Sequence, residues 1–373
     1  MTNIFDAPEP NTVEEAQAGF EAAYRVAVPD NAFGGRGLDL PSLMFKQRIL
    51  YLHGPVTQEA MHSLCMQVHY LCAEQVLKSK RSMGISVYID SPGGLVDWGL
   101  TFFDYLRQAE EITGEPVTII IQTQGASMGS LLPQAATTGF RLMMPRSQMM
   151  IHALSSGSSG KLEEQAASLG ESTARAIQLY EIYINKIVAC RELFDGAEDT
   201  PELRAEIFGE LLKLMENADT FLSPYEAMKL GLIDYVAHNE TDQYYWYKML
   251  QSYYGLVVRE VSDKTGTSIE SFIAIARNEN NGLVPKRDMD DPAHAKEKDY
   301  LLGELRRLRA ENMEKTRQIE GARAPIEKAL DHFHSLTKKG RRGPNADSQA
   351  NYKAAAAAYL AALKAEKSTG DDA

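Results

Sequence analysis

"VTIIIQTQGASMGS", Val117 to Ser130, is a run of β-branched apolar residues that gives way to a string of small ones with a serine among them. The apolar half predicts a buried strand, and Leu131, Leu132 and Ala135 predict a helix directly after it. The same theme lies about thirty residues upstream, where "ISVYID" (85–90) and "SPGG" (91–94) lead into Val96, Gly99, Phe102, Phe103 and Leu106. Further upstream Ile49–Leu52 reads as a strand, Thr57 as an N-cap, and Met61, Leu64, Cys65, Val68, Leu71, Cys72 and Val76 as one helical face. Downstream, "FRLMM" (140–144), a turn at Pro145–Ser147 and "QMMI" (148–151) supply strands, before a long helix from about Lys161 to Ala189. Strand–turn–helix repeats predict an α/β domain with crossover connections and its chemistry at the carboxyl ends of the strands.

Outside this block the composition changes. Residues 1–37 are rich in Pro, Gly, Asn and Asp and read as a flexible N-terminal segment. After "GLIDYVAHNE" (231–240), "DQYYWYKMLQSYYG" (242–255) reads as a packing surface or a helix docked on the core. Residues 283–299 carry the Pro and charge of a linker, and Leu301–Phe333 reads as a charged, exposed helical appendage. A capped helix is expected at 264–280, a basic linker at 337–348 and an Ala-rich helix at 351–367. The organisation expected is a flexible segment at 1–37, a catalytic domain at 38–238 and a helical, partly linker-like extension at 239–373.

Composition excludes some classes. A net charge of −12 over 373 residues gives no case for nucleic-acid or anionic-membrane binding. Three cysteines, Cys65, Cys72 and Cys190, read as buried reduced thiols rather than a disulfide framework or metal site. No apolar run has the length of a membrane span, and the acidic start lacks a signal-peptide core, so a cytoplasmic protein is expected.

Gly125-Ala126-Ser127-Met128-Gly129 matches the nucleophile pattern G-x-S-x-G. Small neighbours let a carbonyl approach Ser127, and a helix N-terminus offers amides to a developing oxyanion. Two designs fit. In an α/β-hydrolase, "LHGP" (52–55) with His53 and Gly54 would be the oxyanion loop, and Asp234 and His238 would complete a Ser…Asp…His order. In the other, "SPGG" supplies the oxyanion site through its paired glycines, and His152, 25 residues after Ser127, is the base at a strand's mouth. An acid must orient that base, and spacing alone does not select one.

"LMFKQRILYLHGPV", "VYIDSPGG", "GASMGSLL", "RSQMMIH" and "ADTFLSPYEAMKLGLIDYV" are collinear over roughly 38–238, and together they closely resemble the Clp protease proteolytic subunit family. The resemblance implies the Clp/crotonase fold, a repeated β-β-α spiral, here with a mostly helical extension. It implies Ser127 as nucleophile, His152 as general base, Asp219 as the acid that orients it, and the Gly94 and Met128 amides as the oxyanion hole. A substrate would be bound as an added strand beside Gly94, Leu95 and Val96 on one side and Leu154 and Ser155 on the other. The resemblance further implies no cofactor and no metal, polypeptide substrates, heptameric rings stacked as a tetradecamer, and a separate AAA+ unfoldase, because the chain has no GxxxxGK[ST] motif.

This chain departs from the family in having "HAL" where "HQP" is usual, in a 67-residue span from His152 to Asp219 that holds a helical insertion, and in long segments on both sides of the core. The expectation is a Clp-like serine endopeptidase. The alternatives are a virus-encoded capsid-maturation protease of the same fold, a crotonase-type acyl-CoA enzyme, and the α/β-hydrolase esterase.

Overall fold

The computed structural model describes residues 40–78, 84–154, 162–215, 219–265 and 292–321, with Pro325 and Lys328. A short helix α1 (Leu40–Lys46) leads into β1 (Ile49–His53), helix α2 (Gln58–Lys78), β2 (Ser86–Ser91) and helix α3 (Val96–Thr113). Thr57 caps α2 as expected, its hydroxyl accepting from the Ala60 amide at 3.2 Å. Strand β3 (Thr118–Ala126) is followed by one turn of helix, α4 (Met128–Leu131), and a 3₁₀ turn, Leu132–Ala135. Then come β4 (Arg141–Met143), β5 (Gln148–Ile151), β6 (Thr220–Leu222) and β7 (Tyr235–Val236).

Strands β1, β2, β3, β4 and β7 form a parallel sheet in that order. Its central strand is buried on both faces: Ile119, Ile120 and Ile121 are each at most 1% exposed, which is why the stretch reads as a continuous apolar run. Ile119 and Ile121 pack into the core under α2 and α3, while Ile120 points into a second core with Phe140, Leu142, Tyr235 and Trp246.

β3 runs further than the predicted 117–121, and it forks. Ile119–Ile121 pair with β4, whereas Gln124–Ala126 pair with β5, which in turn pairs antiparallel with β6. A bulge between Ile89 and Ser91 on the neighbouring strand accompanies the bend. The fork delivers the serine-bearing end of β3 to β5 and β6, away from β4, while Gly125 stays paired with Ser91 of β2.

Helix α5 (Leu162–Asp195) is longer than expected and is joined to the inserted helix α6 (Pro201–Met215) by the Arg191–Glu210 ion pair at 2.8 Å. After α7 (Pro224–Leu230) and β7, helix α8 (Glu240–Thr265) docks on the sheet, as its aromatic content predicts. Trp246 is fully buried and donates its indole N–H to the Gly139 carbonyl at 3.1 Å. The three cysteines are free and buried as expected, and burial pushes the Cys65 and Cys190 thiols up to about 11.

The expectation of an exposed appendage beyond residue 300, preceded by a linker, is corrected. Helix α9 spans Pro292–Gly321, starting inside the segment read as a linker, because proline is well suited to the first helical position and Ala293, Ala295, Lys296, Glu297 and Lys298 favour a helix. Its inner face, at 3–4 residue spacing, is Leu301, Leu305, Arg309, Asn312 and Thr316, all buried. Three of the five are polar, so the stripe reads as solvated in sequence. Asn312 pairs with the Val236 peptide at both ends, accepting from its N–H and donating to its C=O at 2.9 Å each, and so closes the edge of β7. The features expected at 1–37, 266–280, 337–348 and 351–367 lie outside the described residues.

Candidate active site

Ser127 follows the last residue of β3 with φ 53° and ψ −121°, a conformation that costs an L-residue about 1–3 kcal/mol. It is held from three sides. Its amide donates to the Met150 carbonyl at 2.9 Å, its carbonyl accepts from the Ser130 amide at 2.9 Å, and Gly93 packs against its Cβ. A side chain at Gly93 would lie 2.6 Å from the Ala126 carbonyl oxygen and 2.7 Å from the Ser127 Cβ. Because α4 is a single turn, the expected helix dipole at Ser127 is small. What the turn offers is the Met128 amide, its first N–H, which has no intrahelical acceptor.

The second candidate amide belongs to Gly94 (φ 147°), where a side chain would strike the Val56 carbonyl oxygen at 2.4 Å. The Val56 amide donates to the Gly93 carbonyl at 2.8 Å, and the Leu95 amide donates to the Val56 carbonyl at 2.9 Å. Both flanking peptides are trans, so the Gly94 N–H and C=O point the opposite way, on the side where Gly94 borders a cavity shared with Ser127.

His152 sits one residue past β5. Pairing of Ala126 with Met150 brings the ends of β3 and β5 out side by side, and the His152 Nε2 lies 2.7 Å from the Ser127 Oγ. The antiparallel β5–β6 pairing sets Ile151 against Thr220, so the next position on each strand brings His152 to Asp219. His152 Nδ1 lies 3.8 Å from Asp219 Oδ1, a charge contact rather than a hydrogen bond, and the Asp219 side chain is 59% exposed. The structure therefore brings Ser127 and His152 into direct contact, sets Gly94 and Met128 on the same cavity, and leaves Asp219 at a looser distance.

A cavity of about 140 Å³ opens beside Ser127 and His152, with Val96 and Leu154 in its wall as expected. Leu95 is not in that wall: it is 53% exposed, and its amide is committed to Val56. Ser155 lies outside the described residues. Ser130, Leu131 and Ala153 also border it, and the far wall was missed from sequence: Ala176, Leu179, Tyr180 and Tyr183 of α5, and Met215 of α6. The 176/179/180/183 spacing is the signal that marks one apolar face of α5.

The α/β-hydrolase alternative fails on geometry. The Asp234 carboxylate is fully buried and accepts from the Gly139 and Arg141 amides and from the Arg141 guanidinium, with Oδ1 2.6 Å from Nη2. Burial pushes this carboxyl up, but the Arg141 charge and hydrogen bonds outweigh it and hold it below the usual carboxylate range. His238 instead bonds Thr316 of α9 at 2.8 Å, and His53 faces Asp90 at 3.2 Å. Among the described residues, no cluster of His, Cys, Asp and Glu could hold a metal ion, and no helix is long and apolar enough to cross a membrane.

Residues 34–240, more than half of the chain, match the family model described as Clp protease. The chain belongs to the Clp protease family. Membership makes it a peptidase by family, and the parallel sheet with its forked β3 is the α/β fold expected from the resemblance.

Proposed function

We propose that this Clp family chain is a serine endopeptidase that cleaves unfolded polypeptides inside a ring of its own copies. The observation that carries the proposal is the 2.7 Å contact between His152 Nε2 and Ser127 Oγ, at a strained turn that opens on an apolar cavity. For Nε2 to accept the Ser127 proton, Nδ1 must carry the other hydrogen, and Nδ1 is the atom that faces Asp219.

His152 removes the proton as Ser127 Oγ attacks the peptide carbonyl, and the Gly94 and Met128 amides hold the negative oxygen that forms. Protonated His152 then passes its proton to the leaving amine, and the same base activates water to release the acyl group from Ser127. The exposed Asp219 stabilises the imidazolium across 3.8 Å, and the contact shortens to a hydrogen bond as charge develops. Substrate enters as an extended strand along the Gly94 backbone, whose C=O is left to pair with it while the N–H serves the oxyanion, with an apolar side chain in the cavity. Ring assembly and a separate AAA+ unfoldase follow from the family reading. A crotonase-type acyl-CoA enzyme needs no serine nucleophile and leaves the Ser127–His152 contact without a purpose.

Ser127→Ala is expected to lower hydrolysis of an unfolded polypeptide by at least about 10³-fold with the native mass of the assembly unchanged. Retention of full activity by the variant contradicts the proposal.

A further inference from the structure

A hydrogen-bond chain behind the nucleophile has no part in the chemistry described so far. Ser130 is fully buried, and its Oγ lies 2.6 Å from the Ser127 carbonyl oxygen and 2.7 Å from the hydroxyl of Tyr183 on α5, which is 5% exposed. The direction of the chain is fixed by its end. A carbonyl oxygen only accepts, so the Ser130 O–H donates to it and the Tyr183 O–H must donate to Ser130 Oγ. Burial pushes the Tyr183 phenol well above its ordinary value, so it stays protonated and available as the donor.

The carbonyl this chain grips belongs to the peptide that joins Ser127 to Met128. That peptide is trans and planar, so its C=O and its N–H point in opposite directions and turn together. Gripping the Ser127 oxygen from behind therefore aims the Met128 N–H forward. The grip acts on the torsion, ψ −121°, that sets this peptide plane at a residue whose backbone is strained. Donation into the carbonyl also polarises the amide and strengthens its N–H as a donor.

We propose that Tyr183 and Ser130 are positioning residues for the oxyanion amide of Met128, so that α5 sets the strength of the oxyanion site through a three-link chain. The inference rests on the reading of Ser127 as nucleophile and Met128 as an oxyanion donor. It goes beyond that reading in assigning a catalytic consequence to two hydroxyls, on residues that border the cavity, through their hold on the Ser127 carbonyl.

The test uses the full chain with Ser130→Ala, Tyr183→Phe and the double variant. Hydrolysis of a short fluorogenic peptide, affinity for a peptide aldehyde, and affinity of a product peptide for the same variants on a Ser127→Ala background are measured together. Removing an oxyanion donor outright costs about 10²–10³ in turnover, so weakening one is expected to cost about tenfold in kcat for either single variant, with KM within about twofold. Aldehyde affinity should fall by about the same factor, and product-peptide affinity should not change. Because Tyr183 acts through Ser130, the double variant should be no worse than Ser130→Ala alone.

Wild-type kcat in Ser130→Ala, or equal losses of aldehyde and product-peptide affinity, overturns the inference. If Tyr183→Phe fails to fold, Ser130→Ala, which removes one small hydroxyl, decides the matter alone. An active Ser127→Ala parent would sink the nucleophile reading itself; an inactive parent with fully active Ser130→Ala sinks only this inference.

Discussion

Two aspartates fifteen positions apart are used in opposite ways. Asp234 is fully buried, its carboxylate filled by two backbone amides and the Arg141 guanidinium. Asp219 is more than half exposed and, among the described residues, faces one partner, His152, at 3.8 Å. A buried carboxylate already engaged by four donors has little left to give a reaction, whereas an exposed carboxylate with one loose contact contributes little to folding and can respond as charge develops on the imidazole. The tighter constellation is the structural one, and the looser one lies at the candidate catalytic centre.

Breaking the first aspartate should have the larger effect. Asp234→Asn leaves the Arg141 charge buried without its counter-charge and is expected to cost about 3–5 kcal/mol, read from denaturant unfolding. A cost below about 1 kcal/mol would mean that the pair does not hold β4 to β7. Asp219→Asn should do the reverse. Stability should stay within about 0.5 kcal/mol of the parent, while kcat/KM falls by about 10²–10³, short of the roughly 10⁴ known for a buried, hydrogen-bonded triad acid.

Acid separates the two again. Asp234 has a folded pKa below its unfolded value, so its contribution is fully present above about pH 4 and is lost as pH falls through the folded value. The parent and Asp219→Asn should therefore share one acid-unfolding limb below about pH 4 by circular dichroism. A limb displaced by Asp219→Asn would show that the exposed carboxylate is structural after all. The smallest effect is expected at the sheet edge, where Asn312→Ala leaves the Val236 N–H without its acceptor and should cost about 1–2 kcal/mol in the same unfolding assay.

The strands were legible because a parallel sheet covered on both sides needs continuous apolar runs, and 117–121 is one. Ser127 and His152 were legible because each ends such a run. Asp219 was not, since any carboxylate satisfies the chemistry and only the β5–β6 register brings this one to His152. The wall contributed by α5 was hidden because Tyr183 reads as an ordinary core aromatic until its hydroxyl is seen on Ser130. Helix α9 was misjudged because Arg309, Asn312 and Thr316 are polar side chains that point inward. Their hydrogen bonds go to the Met228 carbonyl, the Val236 peptide and His238, partners that no local pattern reveals.

The central claim is that His152 activates Ser127, and it is tested most directly by fluorophosphonate labelling of the full chain followed by mass spectrometric mapping. The account predicts a single adduct on Ser127 whose formation slows by at least about 10³-fold in His152→Ala. An adduct on another residue, or unchanged labelling of Ser127 in His152→Ala, would contradict it.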